Sequence, residues 1–283
     1  MKVKVYKLNS FAQEREGGNP AAVVLEGGLT EIQMQKLAAV INFSETAYVD
    51  KKKESSFAVR FFTPTAEVDL CGHATIAAFC LMRSLGQVGD GPYRQKTKAG
   101  ELDIVIEGNT VYMEQVLPRF YEVLSKEELA ACLGIHEEEF SEHLPIQAVS
   151  TGLKDILVPL KSSRSLQHLQ PDMKKIEEIS KKYQAVGLHV FSIEAEGAIC
   201  RNFAPLYGIP EESATGTSNG ALTCYMHKYG ILKEVNKEIQ FRQGIYMGKP
   251  SLIRAKLSIH KDQINKIWIG GEAILIEEQV FQI

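Results

Sequence analysis

The sequence predicts an α+β protein of two pseudo-symmetric halves, each a curled, barrel-like and mostly antiparallel sheet around one central helix. The pattern Arg-x-Phe-x-Pro occurs at residues 60–64 and again at residues 201–205, almost half of the 283-residue chain later. After each copy come a short polar loop, a small-residue turn and an apolar stretch between two glycines, Gly72 to Gly86 and Gly216 to Gly230. Both stretches have the same length, which indicates two equivalent halves. A helix that is apolar on all sides must be covered all round, and a curled sheet does this.

In the first half, alternating or continuous apolar runs predict the strands, and one capping box predicts a helix. The box is Thr30-x-x-Gln33, and it opens a helix with Met34, Leu37 and Ile41 on one face. The predicted strands are residues 3–6, 21–25, 43–49, 56–62, 102–106 and 111–116.

The same signals in the second half predict a similar content. Strands are predicted at residues 148–150, 156–160, 187–193, 199–203, 239–241, 251–259 and 267–276, and helices at 126–133 and 172–183. We expect the halves to join near residue 117, giving an N-terminal half of residues 1–117 and a C-terminal half of residues 118–271. Residues 272–283 are a candidate for a segment that returns to the first half.

Composition and charge exclude several classes of protein. With 32 basic and 35 acidic residues the net charge is −3, so no global field recruits nucleic acid or an anionic membrane. The longest apolar run, residues 76–82, is too short to span a bilayer, and residues 1–10 lack the apolar core of a signal peptide. Five cysteines without a CxxC pair predict reduced thiols in a cytoplasmic protein.

The two small-residue turns are the first candidate site, because each opens a helix. Unpaired backbone N–H groups and the positive end of the helix dipole favour a carboxylate or phosphate there. If the halves are related by a pseudo-twofold axis, a small anionic substrate fits between the two helix starts. The alternative is that the glycines of these turns only permit close packing. The candidate binding residues are Gly72 and Ala74 in the first turn and Thr215, Gly216 and Thr217 in the second.

Glu45 and His73 are the candidate catalytic residues of the first half. On the predicted strand 43–49, Glu45 shares a face with apolar neighbours, where desolvation raises the pKa of a carboxyl group towards neutrality. The alternatives are a charge at the strand edge or a pair with a nearby base. At a helix start, the dipole favours the neutral imidazole of His73.

Other polar groups carry weaker signals. Gly17-Gly18-Asn19-Pro20 is a turn in which an amide can face the substrate, and Gly18 and Asn19 are its candidate binding residues. Of the acids before the two helix starts, Glu67, Asp69, Glu211 and Glu212, most are expected to be ordinary solvated loop charges. The sequence has no metal-ligand spacing around His73, and it lacks the nucleotide-binding and serine-hydrolase motifs G-x-G-x-x-G and G-x-S-x-G.

Taken together, four motifs resemble the phenazine-biosynthesis PhzF-like isomerase family, in family order and over nearly the whole chain. They are GGNPAAVV at 17–24, SETA at 44–47, FTP at 62–64 with EVDLCGHAT at 67–75, and FAP at 203–205 with GIPEESATG at 208–216. The resemblance implies the diaminopimelate-epimerase-like fold, with the site between two pseudo-symmetric halves. It also implies isomerisation without metal or organic cofactor, as in the family member that acts on trans-2,3-dihydro-3-hydroxyanthranilate.

The resemblance assigns roles to individual residues. It implies that Glu45 is the acid/base, that His73 and Glu212 assist, and that Gly216 and Thr217 help to hold the substrate. The second motif departs from the family pattern D-P-A-T-G-S-A, because Glu212 replaces the Asp and Thr217 replaces the Ser. These changes alter the reach of the acid and the shape of the pocket.

The sequence therefore predicts a cofactor-independent isomerase of a small carboxylate, with Glu45 carrying the proton. One alternative is an amino-acid racemase or epimerase that uses Cys71. The related epimerases and proline racemases have a second cysteine at the equivalent helix start, and Thr215 stands there in this chain. The other alternative is a non-catalytic protein that binds a small molecule. We further expect a homodimer with neither a nucleic-acid nor a membrane partner.

Overall fold

The computed structural model describes residues 1–25, 27–232, 234, 237–261 and 263–283, and the chain divides into two units. The first unit comprises Met1–Glu114 and Gly270–Ile283, and the second comprises Gln115–Ile269. None of the described helices is long and apolar enough to cross a membrane. All five cysteines are buried and free.

Strands and helices alternate along the chain. The strands are β1 (Lys2–Ser10), β2 (Asn19–Val24), β3 (Thr46–Lys53), β4 (Ser56–Phe62), β5 (Glu67–Val68), β6 (Gly91–Thr97), β7 (Gly100–Glu107), β8 (Thr110–Gln115), β9 (Arg119–Leu124), β10 (Ile146–Ser150), β11 (Lys154–Pro159), β12 (Leu188–Glu194), β13 (Gly197–Ala204), β14 (Ile209–Glu212), β15 (Ile239–Gln243), β16 (Ser251–His260), β17 (Gln263–Gly271) and β18 (Ala273–Gln282). The α-helices are α1 (Glu31–Ile41), α2 (Gly72–Ser84), α3 (Lys126–Leu133), α4 (Ser163–Gln167), α5 (Met173–Tyr183) and α6 (Gly216–Lys228).

Both units repeat one succession of strand pairings. In the first unit the order is β18-β1-β2-β3-β4-β6-β7-β8, antiparallel except for the parallel pairs β2–β3 and β4–β6. In the second unit the order is β9-β10-β11-β12-β13-β15-β16, antiparallel except for the parallel pairs β11–β12 and β13–β15. Parallel neighbours need a crossover, and α2 and α6 supply the equivalent crossover in the two units. The predicted fold class, an α+β protein of two equivalent halves, is confirmed.

The central helix of each unit is enclosed, as its composition predicts. Nine consecutive residues are buried in α2 (74–82) and nine in α6 (218–226). In the first unit, α2 packs against β1, β2, β3 and β18. Because a helix buried on every face cannot turn about its axis without losing packing, its first turn is held in a fixed orientation.

The repeated Arg-x-Phe-x-Pro pattern forms the same clamp in each unit. Arg60 donates through Nε and Nη2 to the two carboxylate oxygens of Glu67, each at 2.7 Å, and lies over the ring of Phe62. Arg201 bonds Glu211 in the same way, each at 2.8 Å, and lies over the ring of Phe203. The prediction of solvated loop charge is therefore wrong for Glu67 and Glu211, because the bidentate pair lets both acids leave the solvent.

The capping box predicted at the start of α1 is present. The Thr30 side chain accepts from the Gln33 N–H at 3.3 Å, and the Gln33 side chain accepts from the Thr30 N–H at 2.9 Å. The helix ends at Asn42, which has a left-handed φ of 55°. Two of the four unpaired N–H groups at the helix start are thus satisfied reciprocally.

The structure differs from the predicted elements in two predicted strands and in strands that the sequence does not predict. The strand predicted at 43–49 begins at Thr46, because residues 42–45 form the connection out of α1. The strand predicted at 267–276 is two strands, β17 and β18, separated at Glu272. Strands β6 and β9 were not predicted, since polar residues dominate the first and most of the second is exposed. Apolar alternation, the main strand signal, is absent from both.

Candidate active site

The start of α2 brings three reactive side chains of the first unit together. Cys71 precedes the helix, Gly72 begins it, and His73 follows within its first turn. His73 Nε2 lies 3.2 Å from Oε2 of Glu45, and His73 Nδ1 lies 3.5 Å from the Cys71 sulfur. Ser10 donates to the carbonyl of His73 at 2.6 Å, which fixes this turn to the end of β1.

Glu45 occupies the connection between α1 and β3 rather than a strand. Its carbonyl accepts from the N–H of Ala22 at 3.0 Å, so the residue is fixed where β2 and β3 begin to run parallel. The predicted alternation of faces around Glu45 is therefore wrong. The carboxylate is nevertheless largely enclosed, with the side chain 20% exposed, and its Oε2 has no aligned hydrogen-bond donor among the described residues.

The pKa values of Glu45 and His73 shift in the directions opposite to those predicted. Burial raises the pKa of the Glu45 carboxyl, but its contacts with His73, Ser44 and Cys71 outweigh burial and hold the pKa below 4.5. Burial also lowers the pKa of His73, but Cys71 and Glu45 raise it well above 6.5. A full charge on Glu45 outweighs the roughly half charge of the helix start, so the imidazolium is favoured over the neutral ring.

Cys71 is a thiol in this arrangement. Burial raises the pKa of Cys71 above 9.0, against the opposing effect of His73 and of a backbone N–H from Ala74. A buried thiol of raised pKa is a poor base and a poor nucleophile. Cys71 therefore stays a neutral thiol near pH 7, and the full negative charge beside His73 is that of the Glu45 carboxylate.

The same three side chains are the described groups that could hold a metal ion. Their ligand atoms, one each from Glu45, Cys71 and His73, lie within 4.8 Å of one another. Carboxylate, thiolate and imidazole are ligands that Zn²⁺ accepts, although two of them must first release a proton from the states described above.

The turn of residues 17–20 lies beside this cluster. Gly18 has a φ of 82°, and a Cβ there would lie 2.6 Å from the carbonyl oxygen of Ser10, so the position requires glycine. Asn19 is buried. Ser44, the neighbour of Glu45, donates to the carbonyl of Pro20 at 3.3 Å. The turn is thus packed against the loop that carries the acid.

The start of α6 in the second unit has the same geometry with different chemistry. Thr215 precedes the helix, and its hydroxyl donates to Oε2 of Glu212 at 2.5 Å. The Gln243 side chain donates to the Thr215 hydroxyl and accepts from its N–H, at 3.0 and 3.2 Å. The carbonyl of Thr217 accepts from Thr151 at 3.1 Å, as that of His73 does from Ser10. This turn has hydroxyls where the first has a thiol and an imidazole.

The structure thus forms two clusters of predicted site residues. The first unit joins Glu45, Gly72 and His73, with the side chain of Ala74 buried in the helix packing. The second unit joins Glu212, Thr215, Gly216 and Thr217. That one substrate contacts both clusters stays a prediction.

Sequence reasoning missed the residues that support the two turns. Ser10, Thr151 and Gln243 carry no motif, and each is distant in the sequence from the turn that it supports: Ser10 and Gln243 end strands β1 and β15, and Thr151 directly follows β10. The repeat offers one signal, because Gln95 bonds Thr75 in α2 much as Gln243 bonds Asn219 in α6. Without the strand pairing, however, nothing aligns the two glutamines.

Comparison with known proteins decides the family. The family model described as "Phenazine biosynthesis-like protein" (PhzC-PhzF) matches residues 8–279. The chain belongs to this PhzF-like family. An uncharacterised isomerase of Clostridium acetobutylicum is 34% identical, over 97% of this chain and 96% of its own. The predicted family and the predicted enzyme class, an isomerase, are confirmed.

Two further relatives agree with this assignment. The trans-2,3-dihydro-3-hydroxyanthranilate isomerase of Pseudomonas chlororaphis is 28% identical to this PhzF-like protein, over 94% of this chain and 95% of its own. The crystal structure of a phenazine biosynthesis protein of the PhzF family from Bacillus anthracis has a TM-score of 0.90, with 28% identity and full coverage of both chains. The fold is thus shared with the Bacillus anthracis protein along the whole chain.

Proposed function

We propose that this PhzF-like isomerase moves a proton within a small carboxylate substrate and that Glu45 carries the proton. The observation that supports the proposal is the pair at the start of α2, where Glu45 Oε2 lies 3.2 Å from His73 Nε2 and has no aligned donor. A carboxylate whose pKa is lowered is ionised at neutral pH, and an oxygen without an aligned donor is available to accept a proton.

The two protonation states of Glu45 give a complete cycle. The carboxylate takes a proton from one carbon of the substrate, and the resulting carboxylic acid returns a proton to another carbon. The electron pair of the broken C–H bond moves through the substrate's own double bonds, so the product is an isomer and no oxidant is consumed. Because the pKa of Glu45 is low, the protonated form is a good acid for the second step.

His73 has the supporting role in this cycle. As an imidazolium it holds Glu45 in place before the first proton transfer and favours the return of the carboxylate after the second. The net charge of Glu45 and His73 together is zero while Glu45 is a carboxylate and +1 while it is protonated. The proton that makes this difference comes from the substrate and returns to it, so no charge enters from solvent. Ser44, at 3.4 Å from His73 Nε2, is a second acceptor for the imidazolium while Glu45 is protonated.

The helix starts support a carboxylate as the substrate's recognition group. Backbone N–H groups at the start of a helix and its positive dipole each favour an anion. The relative from Pseudomonas chlororaphis is named for an anthranilate, which is a carboxylate. We therefore propose a small unsaturated carboxylate as the substrate, with the helix starts of α2 and α6 as the candidate anion sites of the two units and with Glu212 and Thr217 shaping the second.

A racemase that uses Cys71 is the second candidate, because the thiol lies 3.5 Å from His73. Two properties of the turns oppose it. The raised pKa of Cys71 leaves little thiolate, and a two-base racemase needs a second acid at the equivalent position, where Thr215 donates to Glu212. A protein that only binds its ligand would not need an ionised, enclosed carboxylate held by an imidazolium.

A search for the substrate in heavy water separates these candidates. We expect the wild type, incubated in D₂O with a small-molecule extract and with trans-2,3-dihydro-3-hydroxyanthranilate, to convert a carboxylate into an isomer seen by NMR. Proline and diaminopimelate should show no exchange of the α-hydrogen. Cys71→Ser should keep the isomerisation rate within about threefold, and Cys80→Ser, buried in the same helix, is the matched control. Exchange at an α-carbon that Cys71→Ser abolishes would establish the racemase instead.

A further inference from the structure

Asp155 is a buried acid of the second unit that the proposed proton transfer does not use. It is the second residue of β11 and only 1% exposed. Its Oδ2 accepts from the Ser218 hydroxyl at 2.7 Å, and its Oδ1 has no hydrogen-bond partner among the described residues. A buried carboxyl with one unsatisfied oxygen is costly, so its presence calls for an explanation.

Ser218 connects this acid to the start of α6. It is the third residue of the helix, directly after Gly216 and Thr217. Asn202 donates to the Ser218 hydroxyl at 3.2 Å and also lies 3.1 Å from Nδ1 of His189. The Ser218 hydroxyl thus donates to Asp155 and accepts from Asn202. These two bonds give the side chain a single arrangement and fix the backbone turn beside it.

The bonds continue from His189 to the acid at the other end of the turn. Burial lowers the pKa of His189 to about 4, so the ring is neutral; Nδ1 accepts from Asn202, and Nε2 donates to Asn219 at 3.3 Å. The Asn219 amide donates to Gln243 at 3.0 Å, Gln243 donates to Thr215, and Thr215 donates to Glu212. One network therefore has Asp155 at one end and Glu212 at the other, with the start of α6 between them.

We propose that Asp155 is a positioning residue for the start of α6, which it fixes through Ser218, and that its charge state sets the geometry of that turn. The inference rests on the proposed function only in that this turn binds the substrate carboxylate. Asp155 does not touch the reacting atoms, and its effect on turnover is exerted through residues 216–218.

The surroundings of Asp155 make its charge responsive near neutrality. Burial raises its pKa to about 7, against the bond from Ser218 and with a further rise from the charge of Glu212 on β14. The neighbours on β10, β12 and α6 add no charge: Val149 is apolar, His189 is neutral and Ser218 is a hydroxyl. The adjacent Lys154 points elsewhere, to Glu122 and the carbonyl of Tyr183. As pH rises through about 7, a negative charge forms beneath the turn.

The test uses the full-length protein and needs no substrate for its first measurement. The backbone amide NMR signals of residues 216–218 should shift with pH with a midpoint near 7 in the wild type. Asp155→Asn, which still accepts from Ser218 but cannot ionise, should abolish this shift. Glu142→Gln, an exposed acid of the same unit, should leave it unchanged. A shift that persists in Asp155→Asn, or no shift in the wild type, would overturn the proposal.

Further variants test the positioning role itself. Ser218→Ala and Asp155→Leu should raise hydrogen exchange about tenfold or more at the N–H of Asn219, which donates to the carbonyl of Thr215 and closes the first turn of α6, whereas Asp155→Asn should stay within about threefold of the wild type. If Asp155→Leu fails to fold, Ser218→Ala and Asp155→Asn still give the comparison. Unchanged exchange in Ser218→Ala would contradict positioning through Ser218.

Kinetics with the substrate found for the wild type separates this inference from the proposed function. In the wild type, KM should change as pH passes through about 7, because the charge of Asp155 alters the turn that binds the substrate. Asp155→Asn should abolish this change and leave kcat within about twofold, because the turn binds the substrate and takes no part in the proton transfer. If the amide measurements agree with expectation and KM does not respond, the turn is positioned by Asp155 but does not bind the substrate. That result would contradict the assignment of the carboxylate to α6 and leave Asp155 as the residue that fixes the turn.

Discussion

Glu45 and His73 show how two buried groups keep opposite charges inside a fold. Burial alone favours the neutral form of each, as it does for Asp155, whose pKa is raised to about 7. The contact of 3.2 Å between them reverses the shift of Glu45, and Cys71 together with Glu45 reverses the shift of His73. The sequence motif predicted both residues as site candidates but gave the wrong charges for them, because these depend on a distance between two segments 28 residues apart.

The ion pair predicts the titration of His73. In the wild type its imidazole should titrate well above 6.5, because protonation is favoured by Glu45 and Cys71. In Glu45→Gln the carboxylate is lost, and burial, which lowers the pKa of His73, should bring the midpoint down from its wild-type position. NMR of the imidazole C–H signals measures both values.

His189 is the internal control for that titration, because it is buried, lies in the other unit and has a pKa of about 4. Its midpoint should be the same in wild type and Glu45→Gln. An unchanged midpoint for His73 in the variant would show that Glu45 is not the group that holds the imidazolium.

At the scale of the element, the Arg-x-Phe-x-Pro repeat is a structural clamp that fixes the segment leading into each central helix. Arg201 and Glu211 are nearly enclosed, with side chains 10% and 16% exposed. Removing one partner of such a pair leaves the other charge desolvated and unpaired. The repeat thus predicted two equivalent units correctly. It did not predict the ion pairs, because Glu67 and Glu211 lie outside the repeated pattern and pair with its arginine only in the folded chain.

Glu211→Gln should therefore destabilise the protein by about 3–5 kcal/mol, because the buried guanidinium of Arg201 loses its carboxylate. The matched control is Glu142→Gln, which breaks an ion pair with Lys161. The side chains of Glu142 and Lys161 are 66% and 42% exposed, so this substitution should cost about 0–1 kcal/mol. Urea unfolding followed by circular dichroism gives both free energies. Equal losses in the two variants would mean that the clamp is worth no more than a surface ion pair.

The predicted elements succeeded where local signals suffice. The capping box located α1, and the apolar stretch that follows each small-residue turn located α2 and α6 with their enclosure. The strand predicted at 43–49 was placed too early, because apolar residues such as Phe43 pack in the connection as well as in the strand. β6 forms because it pairs with β4 and β7, and its own residues are mostly polar. A local sequence pattern cannot predict such a strand, because it contains no information on the pairing partners.

At the scale of the whole chain, the first unit is discontinuous in sequence. Its strand β18 comes from the C-terminus and pairs with β1 along the whole of both strands, from Lys2 opposite Gln282 to Ser10 opposite Ala273. Phe281 and Ile283 also pack on the core of this unit. Loss of β18 would leave β1 as an open edge and expose part of that core.

Deletion of residues 273–283 should therefore loosen the first unit selectively. Amide hydrogen exchange followed by mass spectrometry should show loss of protection in β1 and β2, while β10, β11 and β12 of the second unit stay protected. Val280→Ser is the control, because it changes an exposed position of β18 and keeps the strand. Uniform loss of protection in both units would mean that the chain unfolds as one cooperative body.

The most direct test of the central claim is the rate of isomerisation by Glu45→Gln, measured on the substrate that the wild type converts. The substitution keeps size and polarity but removes the group that accepts the proton. The folded variant, with unchanged circular dichroism and retained ligand binding, should lose about 10²–10⁴-fold in kcat, and Cys80→Ser should keep the wild-type rate. A folded Glu45→Gln that turns over the substrate at nearly the wild-type rate would contradict proton transfer by Glu45.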